Sequence, residues 1–358
     1  MNRLILIGNG FDLAHGLKTS YCHFISDYIA RAINNFYETN NHSDILLSIR
    51  FRSVSHGHSP EGKKKRVTPD EALSHLRLLE ENINYFVVDF KSTFLKESIF
   101  KINTLNWVDL ENDYFERLIK CKELRTGFNI NHVNNINDEF DFLKMELESY
   151  LLRVQFGSKE GISTELLDIF YGKVNSRDII TCQIGQNVLP TKILFLSFNY
   201  TNTIEKYINS FYIEGQVDIN YIHGKLDFAE NPIIFGFGDE YNKNYLEFEE
   251  LKSNELLTHI KSFGYFNASN YHDLMKFLED DLFEVYSFGH SLGLSDRTML
   301  KEVFENENCK SIRIFYHKNR KDYINKTYDI SKHFTNKGIM RKKIVPFTRS
   351  FAMPQPKE

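Results

Sequence analysis

Four short stretches carry residue types able to do chemistry, and each follows an apolar run. In the first, "RLILI" leads into Gly8-Asn9-Gly10-Phe11-Asp12. A Gly-x-Gly at the junction of a strand and a helix lets backbone N–H groups approach an anion, and the helix dipole favours negative charge there. A nucleotide phosphate is the usual guest. No Gly-Lys-Ser/Thr follows, which rules out a Walker A loop, and Leu13 stands where the dehydrogenase fingerprint has its third glycine. Asp12 would repel a phosphate, so it either caps the helix or accepts a hydrogen bond from a ribose hydroxyl. A tight turn with Asp12 as N-cap and no ligand is the plainer alternative.

The second stretch, "LSFNYTNTIEKY", ends a strand on Ser197, Asn199, Tyr200 and Thr201. In open parallel sheets ligands sit beyond the carboxyl ends of the strands, where such side chains project. Asn199 both donates and accepts, so it could orient a water or a ribose hydroxyl; capping the next helix explains Asn199 and Thr201 equally well. The third, "YIHGKLD", places His223 at a strand end beside a glycine that lets a ligand come close, making it the best general-base candidate. A structural, hydrogen-bonded histidine is the alternative. The fourth, "VYSFGHSLGLSDRTML", offers Gly289, His290 and Ser291 along the path of a nucleotide, with Ser295 expected as a helix N-cap and Asp296 behind it. Its "GHSLG" is superficially a nucleophile elbow, and a serine hydrolase would need His317 or His333 as partner to Ser291. His15, His56, His58 and His290 fall in expected loops and could be exposed.

These stretches need a frame. Apolar runs at 4–7, 192–200, 218–224, 232–238, 282–291 and 311–317 read as strands, with helical segments between the later ones. That alternation predicts an α/β, Rossmann-like fold: a mainly parallel sheet covered by helices. "YCHFISDYIARAINNFYE" has helical spacing after the first loop, and residues 68–153 read as mostly helical, from a capping Thr68 with Pro69 to "INDEFDFLKMELESYLLRV". The expected domains are a nucleotide-binding core, 1–67 with 186–358, and a helical insertion, 68–185.

Other features exclude more than they propose. The 44 basic and 48 acidic residues leave a net charge of −4, so overall charge does not mark a nucleic-acid or membrane-surface binder. The basic run 63–66 reads as a solvated loop. Cys22, Cys121, Cys182 and Cys309 have no zinc-type spacing, and Asp109, Glu111 and Asp113 beside Trp107 lack companion ligands, so no metal is expected. Scattered thiols and the lack of a membrane-length apolar run suggest a cytoplasmic protein.

Taken together, "LILIGNGFDLAHGLKTSY", "WVDLE", "SFNYT", "IHG" and "GHSLGLSD" resemble the AbiH family of bacterial phage abortive-infection proteins, over nearly the whole chain. More distantly, their order is similar to the sirtuin-like fold of prokaryotic defence NAD hydrolases. Gly8, Gly10 and Gly16-Leu17 match that fold's glycine loop, Asn199-Tyr200 its strand-end motif, His223-Gly224 its Leu-His-Gly, and Gly289, Ser291 and Asp296 loosely its last motif. Asp12, Thr201 and the longer "LGL" depart from it. The resemblance implies phage defence with NAD or a related nucleotide as ligand or substrate, and Asn199 and His223 as a catalytic pair cleaving the nicotinamide glycosidic bond. Gly8, Asn9, Gly10, Phe11, Asp12, Ser197, Tyr200, Thr201, Gly289, His290, Ser291 and Asp296 would surround the nucleotide. A non-catalytic nucleotide sensor is the competing class. Expected partners are a second copy or another defence protein, and a phage-derived trigger.

Overall fold

The computed structural model describes residues 1–52, 66–100, 107–123, 127–157, 161–185, 187–208, 216–251 and 253–355. His56, His58 and most of the basic run 63–66 lie outside them. The chain forms two compact units, Met1–Lys18 with Leu151–Glu358, and Thr19–Tyr150; the sequence put the breaks at 67/68 and 185/186.

The first unit is built on β1 (Asn2–Ile7), β2 (Ile193–Ser197), β3 (Val217–Tyr221), β4 (Phe283–Phe288) and β5 (Cys309–Phe315). They form one all-parallel sheet in the order β5-β4-β1-β2-β3, so Leu4 sits between Leu194 and Val285. Every residue of β1 and β4 is buried, as a parallel sheet covered on both faces requires. Alternation divides each strand between two cores. Leu4, Leu6, Leu194, Val285, Ile312 and Ile314 pack with α3 (Asn270–Asp280), α4 (Arg297–Glu305) and α5 (Arg320–Ser331). Ile5, Ile7, Phe195, Phe288 and Phe315 pack on the other face with α1 (Asn9–Ala14) and α2 (Thr164–Tyr171). The expected α/β architecture is therefore present. The chain runs outward from β1 to β2 and β3 on one side, and from β4 to β5 on the other. This makes the loops after β1 and β4 a topological switch point, where doubly wound sheets take ligands.

One expected strand does not form. Residues 232–238 are buried loop: Ile234 N–H donates to the His223 carbonyl, and a Cβ on Gly236 would lie 2.0 Å from the His259 carbonyl oxygen. Close backbone packing and one parallel bridge from Phe237 to Ile260, rather than an extended ladder, bury this apolar run.

The second unit joins helices to a three-stranded antiparallel sheet of Asn41–Ser43, Leu47–Phe51 and Phe86–Phe90. Its helix Tyr21–Thr39 is capped by Ser20, whose Oγ accepts the His23 N–H. "FVVDF", expected within a helical run over 68–91, is instead the strand Phe86–Phe90. Helix Ala72–Glu81 stops before it, and its aromatic and β-branched residues suit the strand that pairs with Leu47–Phe51. Trp107–Lys120 and Ile130–Gly157 are helices, and Asp113 there is ion-paired to Arg117 at 2.8 Å. Among the described residues no His/Cys/Asp/Glu group could hold a metal, and no helix is long and apolar enough to cross a membrane.

Candidate functional site

At the switch point the loops after β1 and β4 meet backbone to backbone. Gly8 N–H donates to the Phe288 carbonyl at 3.0 Å, Gly10 N–H to Gly289 at 2.9 Å, and Phe11 N–H to Gly8 at 2.8 Å. A Cβ on Gly10 would come 2.7 Å from Gly289 Cα, and Gly289 has φ +65°, a left-handed conformation that favours glycine. The Gly-x-Gly thus permits the close approach of two loops. The N–H groups of both glycines are spent on that contact and are not offered to an anion. Asn199, buried after β2, extends the clamp by donating Nδ2–H to the Gly8 carbonyl at 3.0 Å.

Asp12 is not the helix cap. Gly8 holds the N-cap position of α1, and Asp12 lies inside the helix, buried, accepting from Thr201 Oγ1 at 2.5 Å. Burial pushes its carboxyl up to about 6, against the opposing pull of Thr201, Thr203 and Asn199. Behind it Phe11 packs on Phe170, Tyr207 and His15. His15, expected in an exposable loop, is buried and bonds the Phe11 carbonyl and the Tyr207 hydroxyl.

The ends of β3 and β4 carry a buried charge cluster. Asp296 Oδ1 accepts from Lys261 Nζ at 2.8 Å and lies 3.1 Å from His223 Nε2, while Oδ2 is 3.6 Å from His290 Nε2. All four side chains are almost fully buried, Lys261 at 1% exposure. Burial opposes ionisation of Asp296, yet Lys261 and then the two histidines hold its carboxyl far below the ordinary range. Burial, reinforced for His223 by the Lys261 cation, lowers both imidazoles, His290 to about 3. His290 Nδ1 accepts the Leu292 N–H at 2.9 Å, so the neutral ring presents its other nitrogen to Asp296. His223 also bonds the Phe198 backbone, and the Phe198 ring meets both imidazoles edge-on. Each histidine thus has one hydrogen bond to the backbone, His290 to Leu292 and His223 to Phe198, while His223 Nε2 beside Asp296 is left without a hydrogen bond of good geometry. Asp296, not Ser295, takes the N-cap position of α4; Ser295 is fully buried.

Beside this cluster a cavity of about 580 Å³ opens at the carboxyl edge of the sheet. Its walls are Gly10, Leu13 and Ala14 of α1, Ser287 to His290 without Phe288 from β4, residues 314–317 from β5, and Asp322, Asn325, Lys326 and Asp329 of α5. The volume lies in the range of small-molecule sites. Met353 and Gln355 complete it. Of the residues expected at a nucleotide, Gly10, Gly289 and His290 line this cavity.

The others face elsewhere. Ser197 Oγ donates to the Asn199 carbonyl and the Tyr200 hydroxyl to the Ile234 carbonyl, both at 3.1 Å. Asn9 opens α1, and Gly8, Phe11, Asp12, Asn199 and Thr201 form the loop clamp just described. Ser291 is exposed, and its Oγ accepts the Gly293 N–H at 3.4 Å, while buried His333 bonds the Leu292 carbonyl, so no Ser-His pair is assembled among them. Lys261 and Lys326 were missed by sequence reading. Neither lies in a glycine turn or at a strand end, the only signals used.

Among curated proteins the chain matches none. The family model described as "Bacteriophage abortive infection AbiH" matches residues 4–318. That match takes in the strand-end loops that form the switch point, and the chain belongs to the AbiH family.

Proposed function

We propose that this AbiH protein acts in defence against bacteriophage by binding a nucleotide at the carboxyl edge of its parallel sheet. The observation that carries the reading is the cavity of about 580 Å³ at the β1/β4 switch point, the position where doubly wound sheets take nucleotides. Apolar Phe315 and Met353 offer a wall for a base, and the polar groups of α5 converge on the same space. Defence follows from the family.

NAD, ADP-ribose and ATP are the first ligands to test, by calorimetric titration into the full chain with nicotinamide release followed in the same samples. The reading predicts one bound equivalent of at least one of them. Released nicotinamide would make binding the first step of glycosidic cleavage. Absence of heat from all three would overturn the reading.

A further inference from the structure

We infer that the cavity recognises its ligand through the nucleoside, by ribose and base, and leaves the phosphates outside. The inference rests on the nucleotide reading above and names what part of the ligand the site grips.

Phosphate recognition needs free backbone amides or free cations. At this cavity the N–H groups of Gly8, Gly10 and Phe11 are consumed by Phe288, Gly289 and Gly8. The cation that α5 contributes is Lys326, and its Nζ donates to the carbonyls of His290 and Ser291, at 2.8 Å each. Asp322 and Asp329 stand one turn before and after it on the same wall, and Asp329 is itself paired with Lys332 at 2.9 Å, so the two carboxylates and two ammoniums balance. An anion entering here meets carboxylates and lysines already engaged with one another and with backbone carbonyls, not a cation awaiting a partner.

The same groups suit hydroxyls. Asp322 Oδ2 accepts the N–H groups of Lys318 and Asn319, and Asp329 Oδ1 accepts from Lys332. Each carboxylate keeps its second oxygen for a donor, and a ribose offers adjacent hydroxyl donors that a phosphate lacks. Asn325, between them, adds both a donor and an acceptor for a base edge.

The test compares nucleosides with their phosphorylated forms: adenosine against ADP, nicotinamide riboside against nicotinamide mononucleotide, and inorganic pyrophosphate as competitor, all by calorimetry on the full chain. The inference predicts that each nucleoside binds within about tenfold of its phosphorylated partner and that pyrophosphate does not compete. Asp329→Asn should weaken adenosine about tenfold or more with an unchanged melting curve. A phosphorylated form binding more than about tenfold tighter, pyrophosphate competition, or unchanged adenosine affinity in folded Asp329→Asn would overturn this inference while leaving nucleotide binding intact. No heat from any ligand would overturn nucleotide binding itself, and this inference with it.

Discussion

Two buried charge clusters lie toward opposite ends of the same sheet, and they are built differently. Near the amino ends, Arg3 pairs with Glu284 at 2.6 Å and donates to the carbonyls of Ile169 and Phe170, Arg313 pairs with Asp178, and both guanidiniums flank the Tyr286 ring at 4.5 and 5.5 Å. The carboxylates there are paired only with guanidiniums, Glu284 with Arg3 and Asp178 with Arg313 and, at 3.4 Å, Arg349, and a guanidinium stays charged at any working pH. Beyond the carboxyl ends, one carboxylate, Asp296, is shared by an ammonium and two imidazoles. The first cluster is a fixed structural tie. The second is balanced by groups that titrate, and it supplies one wall residue, His290, to the cavity.

Breaking the second cluster should have the largest effect. Asp296→Ala leaves Lys261 buried without a counter-charge and should cost about 3 to 5 kcal/mol in urea denaturation, while Lys261→Met with Asp296→Leu should recover much of that loss. A cost under about 1 kcal/mol would mean the carboxylate is not holding a buried cation.

The contrast in titration sharpens the comparison. His290, lowered to about 3, and His223, also lowered, stay neutral in the fold while the unfolded chain takes up protons below about 6.5. Unfolded protein binds more protons in that window, so stability must fall as pH drops from about 6.5 toward 3, on the order of 4 to 5 kcal/mol for His290. His290→Asn, whose Oδ1 can replace Nδ1 as acceptor for Leu292, should flatten this slope. An equal slope in the variant would assign it elsewhere.

Asp12 should bend the profile the other way. With its carboxyl raised to about 6, the folded state holds a proton longer than the unfolded chain, so its contribution declines as pH rises from about 4 to about 6. Asp12→Asn should match the wild type near pH 4 and exceed it above pH 6 by on the order of 2 to 3 kcal/mol. Equal stability of the two proteins at pH 7 would remove the buried-carboxylate account.

The smallest expected effect is at Ser291, which is exposed and touches neither charge cluster. Ser291→Ala should leave melting temperature and phage plating efficiency unchanged. Lost protection in a folded variant would revive the serine nucleophile.

How far these features could be read from sequence depends on the range of the interaction that makes them. The strands of β1, β2 and β4 were legible because strands buried on both faces must be apolar throughout, and their polar ends mark the sheet's carboxyl edge without further information. "FVVDF" was misread because apolar spacing upstream runs helical up to it, and its true partner, Leu47–Phe51, lies earlier in the chain. The loop clamp and the charge cluster were illegible for the same reason. Thr201 is 189 residues from Asp12, and Asp296 is 35 from Lys261. A lysine becomes an interior residue only through such a partner, and composition around residue 261 does not announce one. The glycines were legible as a close-approach loop, but what approaches them is Gly289, from the far end of the chain.

The proposed function puts a nucleotide in the cavity between α1 and α5. Leu13 lines it and is 40% exposed, so Leu13→Trp fills the space without disturbing the core. Calorimetric titration of NAD and ADP-ribose into wild type and Leu13→Trp, with melting curves of both, tests this most directly. The variant should melt with the wild type and bind at least about tenfold more weakly. Equal affinity in the two proteins would place the ligand elsewhere and contradict it.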